Sequence, residues 1–255
     1  MASNTDRLNG VRRKIDRAKT HINDVEIVAR QFCVANTDCL YPKTDPNSGK
    51  KIFHVRFRTQ LPELLPLMIG DAVHNLRSAL DHLAWQLVDA NGQTPTINTS
   101  FPVFKKKNTK QFNSKVSRIA CGARDIIESI QPYNSGNDDL AILSEMDNFD
   151  KHRLLIVIAS TVKDSTFGIA GFPPDQKHIF EVEVSPVILK HGALNDGDEV
   201  LRILPTGSEQ YAKVTCSLRV AFQEPRTVLG ETVVTRLNQL VKITTDTIDK
   251  FVPFL

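Results

Sequence analysis

Several things are scarce in this chain of 255 residues, and each scarcity removes a class of explanation. Its four cysteines, Cys33, Cys39, Cys121 and Cys216, show neither metal-ligand spacing nor the density of a disulfide framework. Reduced thiols in a cytoplasmic protein are therefore the expectation. No apolar run reaches the ~18 residues of a membrane span, and the N-terminus is charged rather than signal-like. The expectation is no membrane partner. There is no Gly-rich phosphate cradle, no Walker sequence and no dinucleotide fingerprint, so nucleotide hydrolysis and hydride transfer have no carrier. No internal repeat is visible. A net charge of +3 and a pI of 8.6 permit a nucleic-acid partner without arguing for one. With 41% hydrophobic and 24% charged residues, an ordinary globular composition remains, enough to bury one large core or two small ones.

Residues 67–89 form the segment around which the rest is organised. At ~100° per residue, Ala72, Val73, Leu76, Ala79, Leu80, Leu83 and Leu87 share one helix face. His74, Ser78, Asp81, His82 and Trp85, the only Trp, fall on the other, with Arg77 at its edge. A solvated face would carry Lys and Glu. This one is expected to be covered, either by the helix end at Asp150–Arg153 or by a second copy of the same helix.

Around it, residues 6–32 repeat apolar side chains at three and four, with Arg7, Arg12, Arg13, Lys14, Arg17 and Lys19 on the remaining face. Turn chemistry at Tyr41-Pro42, Asp45-Pro46 and Ser48-Gly49 separates two β-like runs, 32–40 and 52–59, predicting an inserted hairpin. Further helices are expected at 113–130, interrupted near Gly122, and at 138–152, closing in Asp150-Lys151-His152-Arg153. From 154 the pattern turns to β, with strands expected at 154–162, 179–184, 187–190, 201–204 and 211–223. The last alternates cleanly, as an antiparallel strand with one wet face does. Val234, Leu237, Val241, Thr244, Ile248 and Phe251 then mark a closing helix. The fold class is α+β. Residues 1–153 read as a helical module with a hairpin insert at about 33–60, and 154–255 as an antiparallel sheet plus a C-terminal helix, able to pack as one compact unit.

Arg77 and His82 enclose four residues on one helix. This resembles the Arg-x4-6-His motif of the HEPN-like superfamily, helical domains found among bacterial toxins and phage-defence nucleases. The resemblance covers this helix. It implies a homodimer through the central helix and metal-independent RNA cleavage or RNA binding, with no cofactor. Arg77 would hold the scissile phosphate and His82 would move the proton of the ribose 2′-hydroxyl. Ser78 follows the Arg, where Asn, Asp or His is usual, and Ala84 stands where many members carry Tyr. On a straight helix the two side chains diverge by ~140°, so they serve one site only across a dimer cleft or through the reach of Arg. His74, Ser78, Asp81, Trp85, Asp150, His152 and Arg153 are the supporting candidates. The stretch His74 to His82, the later Gln-Pro-Tyr and Asp-Lys-His-Arg also resemble a set of uncharacterised bacterial proteins, which implies no activity.

Three other readings stay open. Arg77 and Asp81 stand at i, i+4, an ordinary helix ion pair, so the polar face can be structural in a non-catalytic interaction protein. His74, His82 and His152, with Asp81 or Asp150, could hold a metal in a hydrolase of the helical module. Ser78 and His82, also i, i+4, could form a nucleophile pair, although no Gly-x-Ser-x-Gly elbow accompanies them.

Overall fold

The computed structural model describes residues 4–161, 168–170, 182–185, 192–204 and 213–255. The apolar stripe of the first helix buries Leu8, Val11, Ile15, Ala18, Ile22, Val25, Ala29 and Phe32. It continues three residues beyond its expected end, so α1 runs Asn4–Ala35 and takes in the start of the first expected strand. Phe32 keeps the three-and-four spacing, and burial on that stripe outweighs its β propensity. The hairpin itself is shorter: β1, Leu40–Thr44, pairs with β2, Lys51–Val55. Its turn is held by Asp45, whose carboxylate accepts from the N–H of Asn47 at 3.0 Å.

The second helix, α2, spans Leu65–Ala90 with Pro66 in its first turn, where the missing N–H is harmless. It lies antiparallel on α1. Arg7 of the first turn of α1 pairs with Asp89 near the end of α2. At the opposite end, Asn36 bonds Thr59 just ahead of α2. The apolar face read from sequence is sealed: Leu76, Leu80 and Leu83 are fully buried, each contributing about 1.5–3 kcal/mol. The expected helix at 113–130 is two, α3 (Thr109–Val116) and α4 (Cys121–Ser129), followed by one turn, α5 (Pro132–Ser135). Next, α6 (Asp139–Asp150) turns Leu140, Leu143 and Met146 inward. At the C-terminus, α7 (Val233–Asp249) docks on α1, α2 and α6, and so belongs with the N-terminal helices.

Every described strand pair is antiparallel, but the strands form three sheets rather than one. The hairpin joins β6 (Glu199–Ile203) and β5 (Val182–Val184) in the order β1-β2-β6-β5. β3 (Ile156–Thr161) pairs with β8 (Leu218–Glu224), and β4 (Gly168–Ala170) with β7 (Lys213–Thr215). The run expected as one strand over 211–223 breaks at Cys216–Ser217. Its wet face is also lost in the middle of β8, where Val220, Ala221 and Phe222 are all buried. There β8 is covered by α1 and α7 as well as paired with β3, a geometry that alternation cannot reveal. The expected strand at 187–190, with 162, 179–181 and 211–212 of the others, lies outside the described residues.

A large core joins the helices to β3 and β8, so residues on both sides of position 153 share it. A smaller one gathers Phe53, Val55, Leu194, Val200, Leu201, Ile203 and Val214 under the four-stranded sheet. Among the described residues no helix is long and apolar enough to cross a membrane.

Candidate functional site

The polar face of α2 divides into three environments, and the residues singled out from sequence are distributed among them. The first is a staple. Arg77 Nη2 donates to the Phe101 carbonyl at 2.8 Å and lies 3.1 Å from Asp81 Oδ1. Asp81 Oδ1 in turn accepts the Phe101 N–H at 2.9 Å. Two charged groups thus saturate the backbone of one residue in the loop after α2. That fixes Phe101 in the core, where its ring meets Phe251 edge-on at 6.0 Å. The Arg77 side chain is 14% exposed, and its Nη1 is buried without a partner among the described residues. The guanidinium points into the protein.

The second environment is the crossing of α2 and α6. Gly70 lets the helices approach: a Cβ there would lie 2.6 Å from Asp150 Cγ, inside van der Waals contact. One turn along, His74 Nδ1 sits 3.0 Å from Asp147 Oδ1, and Lys151 Nζ sits 2.5 Å from Asp147 Oδ2. Asp147 is only 3% exposed, whereas His74 is 57% exposed, so a buried carboxylate orients an imidazole that opens to solvent. The helix end carrying Asp150 thus does approach α2, as one of the two expected coverers. Burial holds the Asp150 carboxyl above the ordinary aspartate range, with the charges of Asp147 and Asp71 pushing the same way and His74 opposing.

That shift has a consequence. A carboxyl with a raised folded-state pKa binds its proton more tightly folded than unfolded, so its ionisation removes stability as pH rises through the raised value. Asp150→Asn should therefore raise Tm at neutral pH. The gain should shrink as pH falls toward about 4 and be gone by about pH 3, where the wild-type carboxyl is protonated in both states. Calorimetry across that range checks it, and a gain that persists in acid would reject the explanation by burial and neighbouring carboxylates.

The third environment is open. Asp81, His82, Trp85, Gln86, Ile97 and Thr99 line a groove of about 450 Å³. Trp85 is 44% exposed and Ile97 98% exposed. His82 is exposed on the side facing α1, its Nδ1 3.9 Å from where a Cβ on Gly10 would stand.

Arg77 and His82 are therefore parted: the one turns inward to Phe101, the other stands in solvent. His74 and His82 face α6 and the groove respectively, and His152 is an exposed residue past the end of α6. No cluster of three or more His, Cys, Asp or Glu placed to hold a metal occurs among the described residues, so His74, His82 and His152 are not assembled as a ligand set. Arg153 lies over the Phe149 ring at 4.1 Å instead of reaching α2. Ser78 is half-buried and makes no hydrogen bond to His82. Asp147 and Gly70 were not singled out from sequence. A signal for Asp147 existed: it lies four residues past Leu143, on the inward stripe of α6, and a buried Asp needs a partner.

Compared with family models, curated proteins and solved structures, the chain matches none.

Proposed function

We propose that this chain is a non-catalytic interaction protein that docks through the open strip of α2, with a second copy of itself as the partner. The observation that carries this is the pairing of Trp85 and Ile97 on the walls of one groove, both strongly exposed. A large aromatic beside a nearly free aliphatic side chain loses apolar contact with water when a partner covers it. The Arg77–Asp81 staple supports a structural role for the motif, because it turns the cation that phosphate chemistry would need inward, onto Asp81 and the Phe101 backbone. A two-fold contact would set the same strip against itself.

Sedimentation at micromolar concentration tests the proposal. Wild type should be dimeric, and Trp85→Lys with Ile97→Lys should give a folded monomer whose Tm no longer rises with protein concentration, as that of a dimer does. A monomeric wild type would sink it.

A second reading is favoured by a separate observation. Arg12, Arg13, Arg17 and Lys19 line the exposed side of α1, and His82 stands open beside that helix. An aromatic face plus cations suits single-stranded RNA, with Trp85 stacking a base and His82 free for proton transfer. This is the HEPN-like alternative, an RNA-binding or RNA-cleaving protein of a bacterial toxin or defence setting. Arg77→Ala and His82→Ala separate the two readings.

A further inference from the structure

Cys39 and Cys216 are far apart in the chain, yet their sulfurs lie 3.8 Å apart and both residues are buried. Cys39 directly precedes β1. Its N–H donates to the Asn36 carbonyl at 3.1 Å, and its own carbonyl accepts from Arg56 N at 2.7 Å, so its backbone is held on both sides. Cys216 occupies the break between β7 and β8, beside exposed Ser217. Cys33 is half-buried and Cys121 exposed, and neither has a sulfur neighbour among the described residues.

We propose that Cys39 and Cys216 form a reversible disulfide, a site of oxidative modification that ties the α1–β1 junction to the start of β8. The sulfurs need close only from 3.8 Å to the ~2.05 Å of the bond. The two thiols are unequal. A hydrogen bond from Cys216 holds Cys39 below the ordinary thiol range, while the same contact and burial push Cys216 up. Either sulfur can attack first, and the contact with Cys216 favours the Cys39 thiolate. With a hydroperoxide as oxidant, Cys39 sulfur attacks the terminal oxygen, breaking the O–O bond to give a sulfenic acid and an alcohol, or water from hydrogen peroxide. The Cys216 thiol then attacks that sulfur, forming S–S and expelling the sulfenic oxygen as water. Two thiol hydrogens and two electrons leave, and one peroxide is reduced. Exposed Ser217 adjoins Cys216, so the pair stands one residue from solvent.

Closing a covalent ring across this separation, 177 positions in sequence, restricts the unfolded chain strongly. Oxidation should raise Tm by about 5–15 °C.

The full-length reduced protein is treated with hydrogen peroxide, its remaining thiols are alkylated, and the digest is mapped by mass spectrometry. A Cys39–Cys216 cross-linked peptide is expected, with Tm raised and restored by dithiothreitol. Cys39→Ser and Cys216→Ser should each abolish the rise. Should either variant fold poorly, the wild-type map decides alone. Cys39 and Cys216 both recovered alkylated while Cys121 or Cys33 is oxidised would overturn the proposal, as would a cross-link that leaves Tm unmoved.

Discussion

Replacing Asn36 with Ala should remove about 2–4 kcal/mol of folding stability, among the largest losses expected from one polar substitution here. Asn36 is fully buried at the end of α1. Its Nδ2 donates to the Phe32 carbonyl at 2.9 Å and to both the carbonyl and the hydroxyl of Thr59 at 3.1 Å. Its Oδ1 accepts from Arg58 N at 2.7 Å and Thr59 N at 3.3 Å. One amide thus closes α1 and ties it to the segment entering α2. Truncation would leave the N–H groups of Arg58 and Thr59 and the Thr59 carbonyl without this partner at a part-buried junction. The Phe32 carbonyl keeps the Asn36 N–H at 3.2 Å. Each buried group left unpaired costs about 1–3 kcal/mol. Urea unfolding with an unchanged m-value checks this. A loss below about 1 kcal/mol would mean that water replaces the amide at this junction.

Arg77→Ala should cost about 2–4 kcal/mol, whereas His82→Ala should stay within about 0.5 kcal/mol of wild type. The difference follows from placement. Removing the guanidinium leaves Asp81 and the Phe101 carbonyl without a charged partner, and loosens the loop that seats Phe101 in the core. Removing the exposed imidazole uncovers nothing buried. Both proteins should then be assayed on mixed RNA in metal-free buffer. The docking proposal expects no cleavage by folded wild type. Cleavage lost on His82→Ala, with stability intact, would establish the RNA reading in its place.

The helices were legible because their apolar residues recur at three and four over many turns, as in Leu8 to Ala29 and Leu76 to Leu87. Boundaries were less so. Phe32 fits a helix stripe and a strand equally, and its burial beside the Phe57 ring, 5.6 Å away, is a long-range contact that decides between them. On α2 the division into a buried apolar face and a polar face was also correctly readable. The Arg77–Asp81 pair at i, i+4 was visible too, but its target, the Phe101 backbone 24 residues along the chain, was not. A loop backbone carries no side-chain signature of what will bond it. For Asp147 a sign was present in its inward position, but its partner lies 73 residues away on another helix.

By itself the sequence determined the periodicity of each helix, the inward set of side chains on α2, and the turn residues that bound the hairpin. Those properties depend on residues a few positions apart, within reach of backbone geometry. Only the tertiary structure decided how the odd face of α2 is used. Its N-terminal part meets α6 through the His74–Asp147 contact while His74 stays open to solvent, its middle is stapled to Phe101, and its C-terminal part, with His82 and Trp85, is left open. Helix crossing, loop return and the meeting of Cys39 with Cys216 are long-range contacts. They are set by which apolar surfaces pack together, and no local pattern records that choice.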